Sequence, residues 1–600
     1  MLAVLFLSAV GFWRGTYDVF NTFKATIIAL GGVAITLWSA QRVLLTRKVV
    51  YPATRLWWAV GLLIAGLVTA TLTSKTPWRS VVGLPGRHTG LVPYLVYILL
   101  FAAAVRLYTQ ASPAPIAKAV LAASLPVAVY GLFQAAGMDP FPWKTVEAGP
   151  PVFSTFGNAN FYAAYLGIAV PLAIWGAVTR TWSWGWRSMS AALGLIAFAG
   201  AVASRSSQGP VVALVGAGFT AGVYVCTRAP GRARQGLLIA GAATAVLAAV
   251  AVLAGVGPLG AVRAELASSL AARTPKWTAA LAMFRDRPLL GFGLDTYSDW
   301  FFAYRSPAVA VASGLGRSVD NPHNVLLHML TGGGLLLAAG WLAFVGAGAY
   351  ALIRGLRRLG GEDRLLLGGL GGAWLAYQAQ SLVSIDVPPL AALHFVLAGA
   401  IVALGVAPPL REWRALPACR RQDPVVVPLV VTALTLVAVG LAWAVTAPLR
   451  ADRLAQSAAV AAATGRRAEA AALYRRATGI AFWESRYPAM EASMLIQSRQ
   501  LGEALDLQLL AARRSPRDLY HAINVARLYT AMGEHDQAAA WYDRILRIDP
   551  STPVVLVEVG RFRLGDGNTP GAVEVLQRAL ALDPANAEAA AALEGAGIQP

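Results

Sequence analysis

Arg273 to Arg305 reads RTPKWTAALAMFRDRPLLGFGLDTYSDWFFAYR, and after a short Gly-containing loop Asp320 to Leu337 reads DNPHNVLLHMLTGGGLLL. Most of the chain before and just after this stretch is apolar, so this is where a polar reaction has room to run. Arg273 to Leu290 carries helical spacing. Trp277, Leu281 and Phe284 share one stripe, with Lys276 and Arg287 off it. Such a helix lies along a membrane surface and does not cross it. Pro288 and the triplet Gly291-Phe292-Gly293 end it. Asp320-Asn321-Pro322 then opens a new helix, with His323 and Asn324 expected in its first turn. Unpaired N–H groups and the positive end of the helix dipole make that turn a seat for an anion such as a diphosphate.

Composition agrees with a membrane setting. Of 600 residues, 57% are apolar and only 13% charged, which excludes an ordinary soluble protein. Apolar runs of roughly 17–25 residues, the length that crosses the hydrocarbon core, recur up to residue 447. Thirteen spans are expected near 2–13, 24–40, 56–73, 90–106, 116–136, 161–178, 187–204, 209–227, 236–256, 324–353, 365–385, 387–407 and 424–447. The first lacks a basic leader and a small-residue cleavage site, so it reads as a span and not as a removed signal. Net charge is +20, but its distribution argues against nucleic acid: basic residues alternate from loop to loop. One set of short loops, including Arg354, Arg357, Arg358 and Arg364, and Arg411, Arg414, Arg420 and Arg421, holds nineteen Lys and Arg. The opposite set, which includes Lys144, holds seven. The basic set marks the cytoplasmic side. Nine spans precede residues 257–322, so that excursion falls outside, and thirteen is odd, so the C-terminal tail does too. Six His and two Cys do not make a zinc or disulfide framework, and Cys226 and Cys419 beside basic loops are expected as free thiols.

From about residue 448 the chain turns soluble and Ala-rich. Gly533 and Gly567, Ala538 and Ala572, and Pro550 and Pro584 are each 34 residues apart, the tetratricopeptide period. Two repeats are clear. Gly465, Ala470, Tyr474 and Ala477 outline an earlier one, and the segment between is degenerate. Modules of this kind bind peptides or neighbouring proteins. The expected fold class is therefore all-α: a polytopic transmembrane bundle over 1–447, then a soluble α-helical repeat domain over 448–600.

Further motifs sit at the outer ends of the expected spans. Gly157-Asn158-Ala159-Asn160 opens one helix, Ser204-Arg205-Ser206 turns between two others, and Arg87 lies in the loop GLPGRHTGL of residues 83–91. Together with R-x3-W-x2-A-L from Arg273, D-R-P-L-L-G-x-G and P-H-N, in this order and topology, the chain resembles the O-antigen ligase and polymerase superfamily of membrane glycan transferases. The resemblance covers roughly residues 10–405, most densely 157–340. The ligase pattern continues from His-Asn through nine residues to Gly, then two residues to Gly, Thr or Tyr. Here Gly334 matches and Leu337 departs.

The resemblance implies a glycosyltransferase of the bacterial cytoplasmic membrane, free of metal and of other cofactors. It would move a glycan from a polyprenyl diphosphate carrier to a lipid, glycan or protein acceptor on the outer face. Arg273 and His323 are the candidate catalytic residues, and Arg87, Arg205, Asn158, Asn160 and Asn324 the candidates for substrate binding. The residue types suit that chemistry. An Arg fork pairs two phosphate oxygens and stays charged near lipid, and His has an ordinary pKa of about 6.5, fitting for the base that an acceptor hydroxyl needs. Each also has a plain structural reading: His323 and both Asn as helix caps, Arg273 as a headgroup contact. His328, about 140° round the helix from His323, is expected to face packing. Asp295 and Asp299 lack a third ligand for a metal. A transporter or a non-catalytic scaffold for the repeats is the alternative, set against the scarcity of charges within the spans and the gathering of Arg and His on one face.

Overall fold

The computed structural model describes residues 1–143, 152–257, 259–316, 319–414 and 426–599. Lys144, Cys419, Arg420 and Arg421 lie outside the described residues. The fold is all-α but for one two-stranded ribbon. A helix stands at each of the thirteen expected places. Among the described residues nine are long and apolar enough to cross a membrane, or ten if the bent pair Thr432–Val445 and Ala447–Ala463 is one span. The difference from thirteen has physical causes. Leu2–Val10 is a single short helix of 9 residues, about 13 Å at 1.5 Å per residue. Trp57–Leu72 has 16 residues, and Gly361–Ser381 is diluted by glycines and by Glu362 and Asp363.

Burial orders the bundle. Pro388–Val406 and Ala159–Val178 are buried along most of their length, so they form its centre. Helix Gly231–Ala254 has no buried residue and stands at the periphery. At one end of the bundle the basic loops meet. Strand β1 (Lys48–Pro52) pairs antiparallel with β2 (Leu410–Arg414). Glu362 gathers Arg228 and the Thr179 hydroxyl. The excursion and the repeats occupy the other end.

The surface helix of the excursion is Thr274–Asp286. Ala279, Ala280 and Met283 face the protein, while Leu281 stays 41% exposed and Trp277 and Phe284 half-buried. Of the apolar stripe, Leu281 therefore faces outward, while Trp277 and Phe284 are partly covered by the protein.

The glycine motifs are explained by one backbone clamp. Helix Val325–Arg358 loses helical geometry at Gly333 and Gly334. A break frees N–H and C=O groups that must be paired again when buried. Residues 288–293 take them. Phe292 N–H donates to Thr331 C=O (2.9 Å), Gly293 N–H to Gly332 C=O (2.8 Å), and Leu335 N–H to Pro288 C=O (2.7 Å). The two chains approach so closely that a Cβ on Gly334 would collide with the Leu289 backbone, and one on Gly291 would lie 2.6 Å from the Gly332 carbonyl. Leu337, the departure from the ligase pattern, is fully buried. It packs where helix Trp57–Leu72 offers Gly66.

The C-terminal region forms four helical hairpins, Ala447–Ala463 with Arg467–Ile480, Arg486–Gln497 with Leu501–Arg514, Leu519–Met532 with His535–Ile548 and Pro553–Gly565 with Thr569–Leu582, and then Ala587–Gly595. The degenerate segment is thus a full repeat. Ala470, Ala504, Ala538 and Ala572, at 34-residue spacing, are all completely buried. Arg499 takes the left-handed turn (φ 59°) that Gly465, Gly533 and Gly567 take elsewhere.

These hairpins are built against the excursion. Phe302 lies within the repeats' apolar core, with Leu315 packed on it. Arg305 pairs with Asp549 at 3.0 Å, both side chains wholly buried, and also donates to Thr552. Arg79 bridges Asp299 and Ser515 Oγ. Arg517 stacks on Trp300 at 3.8 Å. The repeat region therefore lies on the same side of the bundle as the excursion.

Candidate active site

The site begins with the way the chain enters helix Val325–Arg358. Asn324, not Asp320 or Asn321, is the N-cap. Its Oδ1 accepts from Leu327 N–H at 2.9 Å. His323 and Asn324 therefore precede the first turn instead of lying in it. Asn321 Oδ1 accepts the His323 N–H at 3.0 Å, a local turn that holds His323 in left-handed geometry (φ 56°).

Asn321 does more than form that turn. Because its Oδ1 accepts, its Nδ2 donates to His328 Nδ1 at 3.1 Å. His328 then carries its proton on Nε2, which faces Asp295 Oδ1 at 3.9 Å. Asp295 Oδ2 accepts the Leu84 N–H. Three residues on, Arg87 pairs with Asp320 at 2.6 Å. The loop of residues 83–90, the loop of 294–296 and the start of the long helix are thus gathered into one circuit of contacts, in which His328 and Asp295 approach without a hydrogen bond. His328 is buried, as expected, but within a polar network and not a packing face.

Arg273 reaches the same place from the surface helix. It is buried. Its Nε donates to Val383 C=O at 2.7 Å and its Nη1 to Ser269 C=O at 2.6 Å. Asn324 Nδ2 donates to the adjacent carbonyl, Leu382, at 2.9 Å. Arg273 and Asn324 therefore share one loop as a common anchor. That loop is held from below, where Asp386 accepts from Tyr94 (3.0 Å) and from Tyr377.

Burial, then Lys276, Arg273 and Arg87, push the His323 imidazole down to about 4, with Asp320 opposing. At neutral pH it is therefore uncharged, with an acceptor nitrogen to offer. Burial also lowers the Arg273 guanidinium, though it remains a cation.

Of the residues expected from sequence, His323, Asn324, Arg273 and Arg87 are brought together here. Asn158, Asn160 and Arg205 form a second group. Asn158 caps helix Ala159–Val178 by accepting from Asn160 N–H at 2.8 Å, and Asn160 Oδ1 accepts from Ser206 Oγ at 2.6 Å. Arg205, exposed and left-handed (φ 57°), sits in that turn. Among the described residues no hydrogen bond or ion pair joins the second group to the first. Sequence reasoning missed Lys276, Asp320, Asn321, His328 and Asp295. Lys276 stands one turn after Arg273, a signal available in the R-x3-W block. The others act through contacts that span from 7 to 233 residues of chain, which spacing does not reveal. Among the described residues no three His, Cys, Asp or Glu side chains converge as a metal set.

The fold is that of a polytopic helical membrane bundle with a neutral His beside Arg and Lys at one end. Residues 160–342 match the family described as O-antigen ligase, and residues 522–554 the tetratricopeptide repeat. The membrane part carries an O-antigen ligase domain and the tail carries tetratricopeptide repeats. The matched span holds Asn160, Arg205, Arg273, His323 and Asn324, and leaves Arg87 and Asn158 outside it. No curated protein matches the chain significantly. Similar solved structures are repeat proteins. MamA is 18% identical, with 24% of this chain and 82% of that one covered at TM-score 0.22. YrrB, a TPR protein with an unusual peptide-binding site, is 16% identical over 28% and 88% at 0.22. A thermophilic TPR protein of Thermus thermophilus is 19% identical over 28% and 96% at 0.21.

Proposed function

We propose that the protein transfers a glycan from a polyprenyl diphosphate to an acceptor hydroxyl at the outer face of the bacterial cytoplasmic membrane. The observation that carries this reading is the neutral His323, fixed in a left-handed turn with Arg273, Lys276 and Arg87 acting on it. The imidazole takes the proton of the acceptor hydroxyl as its oxygen attacks the anomeric carbon. The bond from that carbon to the diphosphate breaks, and the leaving anion stays with the cations. No described hydrogen bond uses Arg273 Nη2, which is the nitrogen assigned here to the diphosphate. Donor loading offsets the positive surroundings of His323 and raises its basicity, so the base strengthens when the substrate is present. Asn158, Asn160 and Arg205 contact the donor from the neighbouring helix ends, and Asn324 keeps the turn in place. Transfer on this route uses no metal.

The acceptor enters beside Asp320, through a polar cavity of about 120 Å3 between the excursion and the third hairpin. Arg79, Asp299, Arg517 and Tyr520 line it, a set suited to a hydroxyl-rich glycan or a protein surface. On this reading residues 1–447 are the catalytic domain, and the repeats of 448–600 form one wall of the acceptor route on the outer side. The test is transfer in vesicles holding the purified full chain, lipid-linked glycans from the source membranes as donor, and the source envelope fraction as acceptor. Wild-type activity should persist in EDTA, and His323→Ala should abolish it while donor binding survives. Full transfer by His323→Ala would end the proposal.

A further inference from the structure

A cavity of about 220 Å3 lies where the first hairpin of the repeats meets the bundle. Ile28, Val92, Val96, Tyr97, Val445 and Trp483 make its walls almost wholly apolar. At one end it shares Val82, His88, Pro448 and Trp483 with a smaller pocket whose rim adds Thr22, Asp452, Glu484 and Arg486. The apolar hollow between membrane helices thus adjoins a charged rim. None of the residues assigned above to donor or acceptor lines it.

An occupant needs an apolar chain at one end and a polar head at the other, which describes a lipid. The rim selects the head. Arg486 lies 3.2 Å from Glu484 Oε1, and Asp452 stands on the same rim, so two carboxylates face one guanidinium. That balance disfavours a purely anionic head and complements one that carries both a phosphate and an ammonium. We propose that this hollow binds an acyl chain of a zwitterionic phospholipid, its phosphate toward Arg486 and its ammonium toward Glu484 and Asp452. The lipid then braces the first hairpin against helices Asn21–Thr46 and Leu91–Tyr108. The inference does not rest on the transferase reading.

The test uses the full chain in phosphatidylcholine vesicles containing a few per cent of phosphatidylethanolamine with a diazirine-bearing acyl chain. A parallel set contains phosphatidylglycerol with the same chain. After illumination, peptides from 92–97 and 444–448 should carry label at least fivefold above peptides from Gly231–Ala254, the helix without buried residues. The ethanolamine lipid should exceed the glycerol lipid. Ala29→Trp, which fills the hollow, should bring labelling down to that of the reference helix, and Ala25→Phe repeats the test should the first variant fail to insert. Glu484→Gln should narrow the preference between the two heads. Equal labelling of hollow and reference helix would overturn the proposal, as would equal labelling by the two lipids. Displacement by geranylgeranyl diphosphate would also overturn it, by giving the hollow to the donor.

Discussion

Asn321 Nδ2 donates to His328 Nδ1 across 3.1 Å while Asn321 Oδ1 holds the His323 amide. One buried amide therefore couples the proposed base to a second His, whose Nε2 lies 3.9 Å from Asp295. His328→Ala leaves the buried Asn321 amide without that partner. A buried polar group stripped of its partner costs about 1–3 kcal/mol. The expected outcome is a lower melting temperature in detergent together with a fall in kcat and little change in donor KM. Asn321→Ala should do the same more severely, because it also frees the turn. A His328→Ala variant with wild-type stability and rate would show that the circuit positions nothing.

The acid limb of activity reports on His323. Its folded pKa is lowered to about 4 by burial and by Lys276, Arg273 and Arg87. The folded protein thus resists protonation that the unfolded chain accepts near 6.5. The stability contribution is present above 6.5 and lost as pH falls towards 4. For the free enzyme, kcat/KM should stay level from pH 7 to about 5, where an ordinary His would already have lost its base. The acid limb of kcat should lie at higher pH than that of kcat/KM, because the bound diphosphate offsets the cations. Coincident limbs near 6.5 would contradict the electrostatics.

Arg273→Lys tests the fork. The guanidinium serves Val383 C=O and Ser269 C=O at once, which a single ammonium cannot reproduce while also meeting a phosphate. Charge-assisted bonds of this kind contribute about 1.5–3 kcal/mol, so kcat/KM should drop roughly tenfold or more with the fold intact. Full activity would reduce Arg273 to a headgroup contact.

The joint between excursion and repeats depends on Arg305 and Asp549. Both side chains are fully buried, and removing one partner of such a pair costs about 3–5 kcal/mol. Arg305→Met alone should make the repeat region sensitive to limited proteolysis. Adding Asp549→Leu should restore resistance, since neither charge is then stranded. Unchanged proteolysis in Arg305→Met would mean that apolar packing around Phe302 suffices.

Orientation is open to chemical labelling. Single cysteines at the exposed positions 308 and 570 lie on helices that contact each other, Pro307–Ser313 and Thr569–Leu582. In a background without the native cysteines, both should react with an impermeant thiol reagent in spheroplasts, and a cysteine at 230 should not. Reaction at 230 alone would invert the topology.

The membrane class, the position of all thirteen helices and the repeat period were legible in the chain because each is a local property. Apolar length, basic loops and a 34-residue spacing survive without knowledge of contacts. The second repeat was read as degenerate because Arg499 stands in the place of glycine, although Ala504 keeps the register of Ala470 and Ala538. His323, Arg273 and Arg87 were picked out by residue type and motif. What only the tertiary structure decided is what closes around them. Asp295 meets His328 from a separate loop, residues 288–293 dock into a helix broken at Gly334, and Arg273 and Asn324 meet on the carbonyls of 382–383. These contacts exist because buried backbone and side-chain polar groups must find partners wherever the fold brings them. Sequence spacing carries no record of that search.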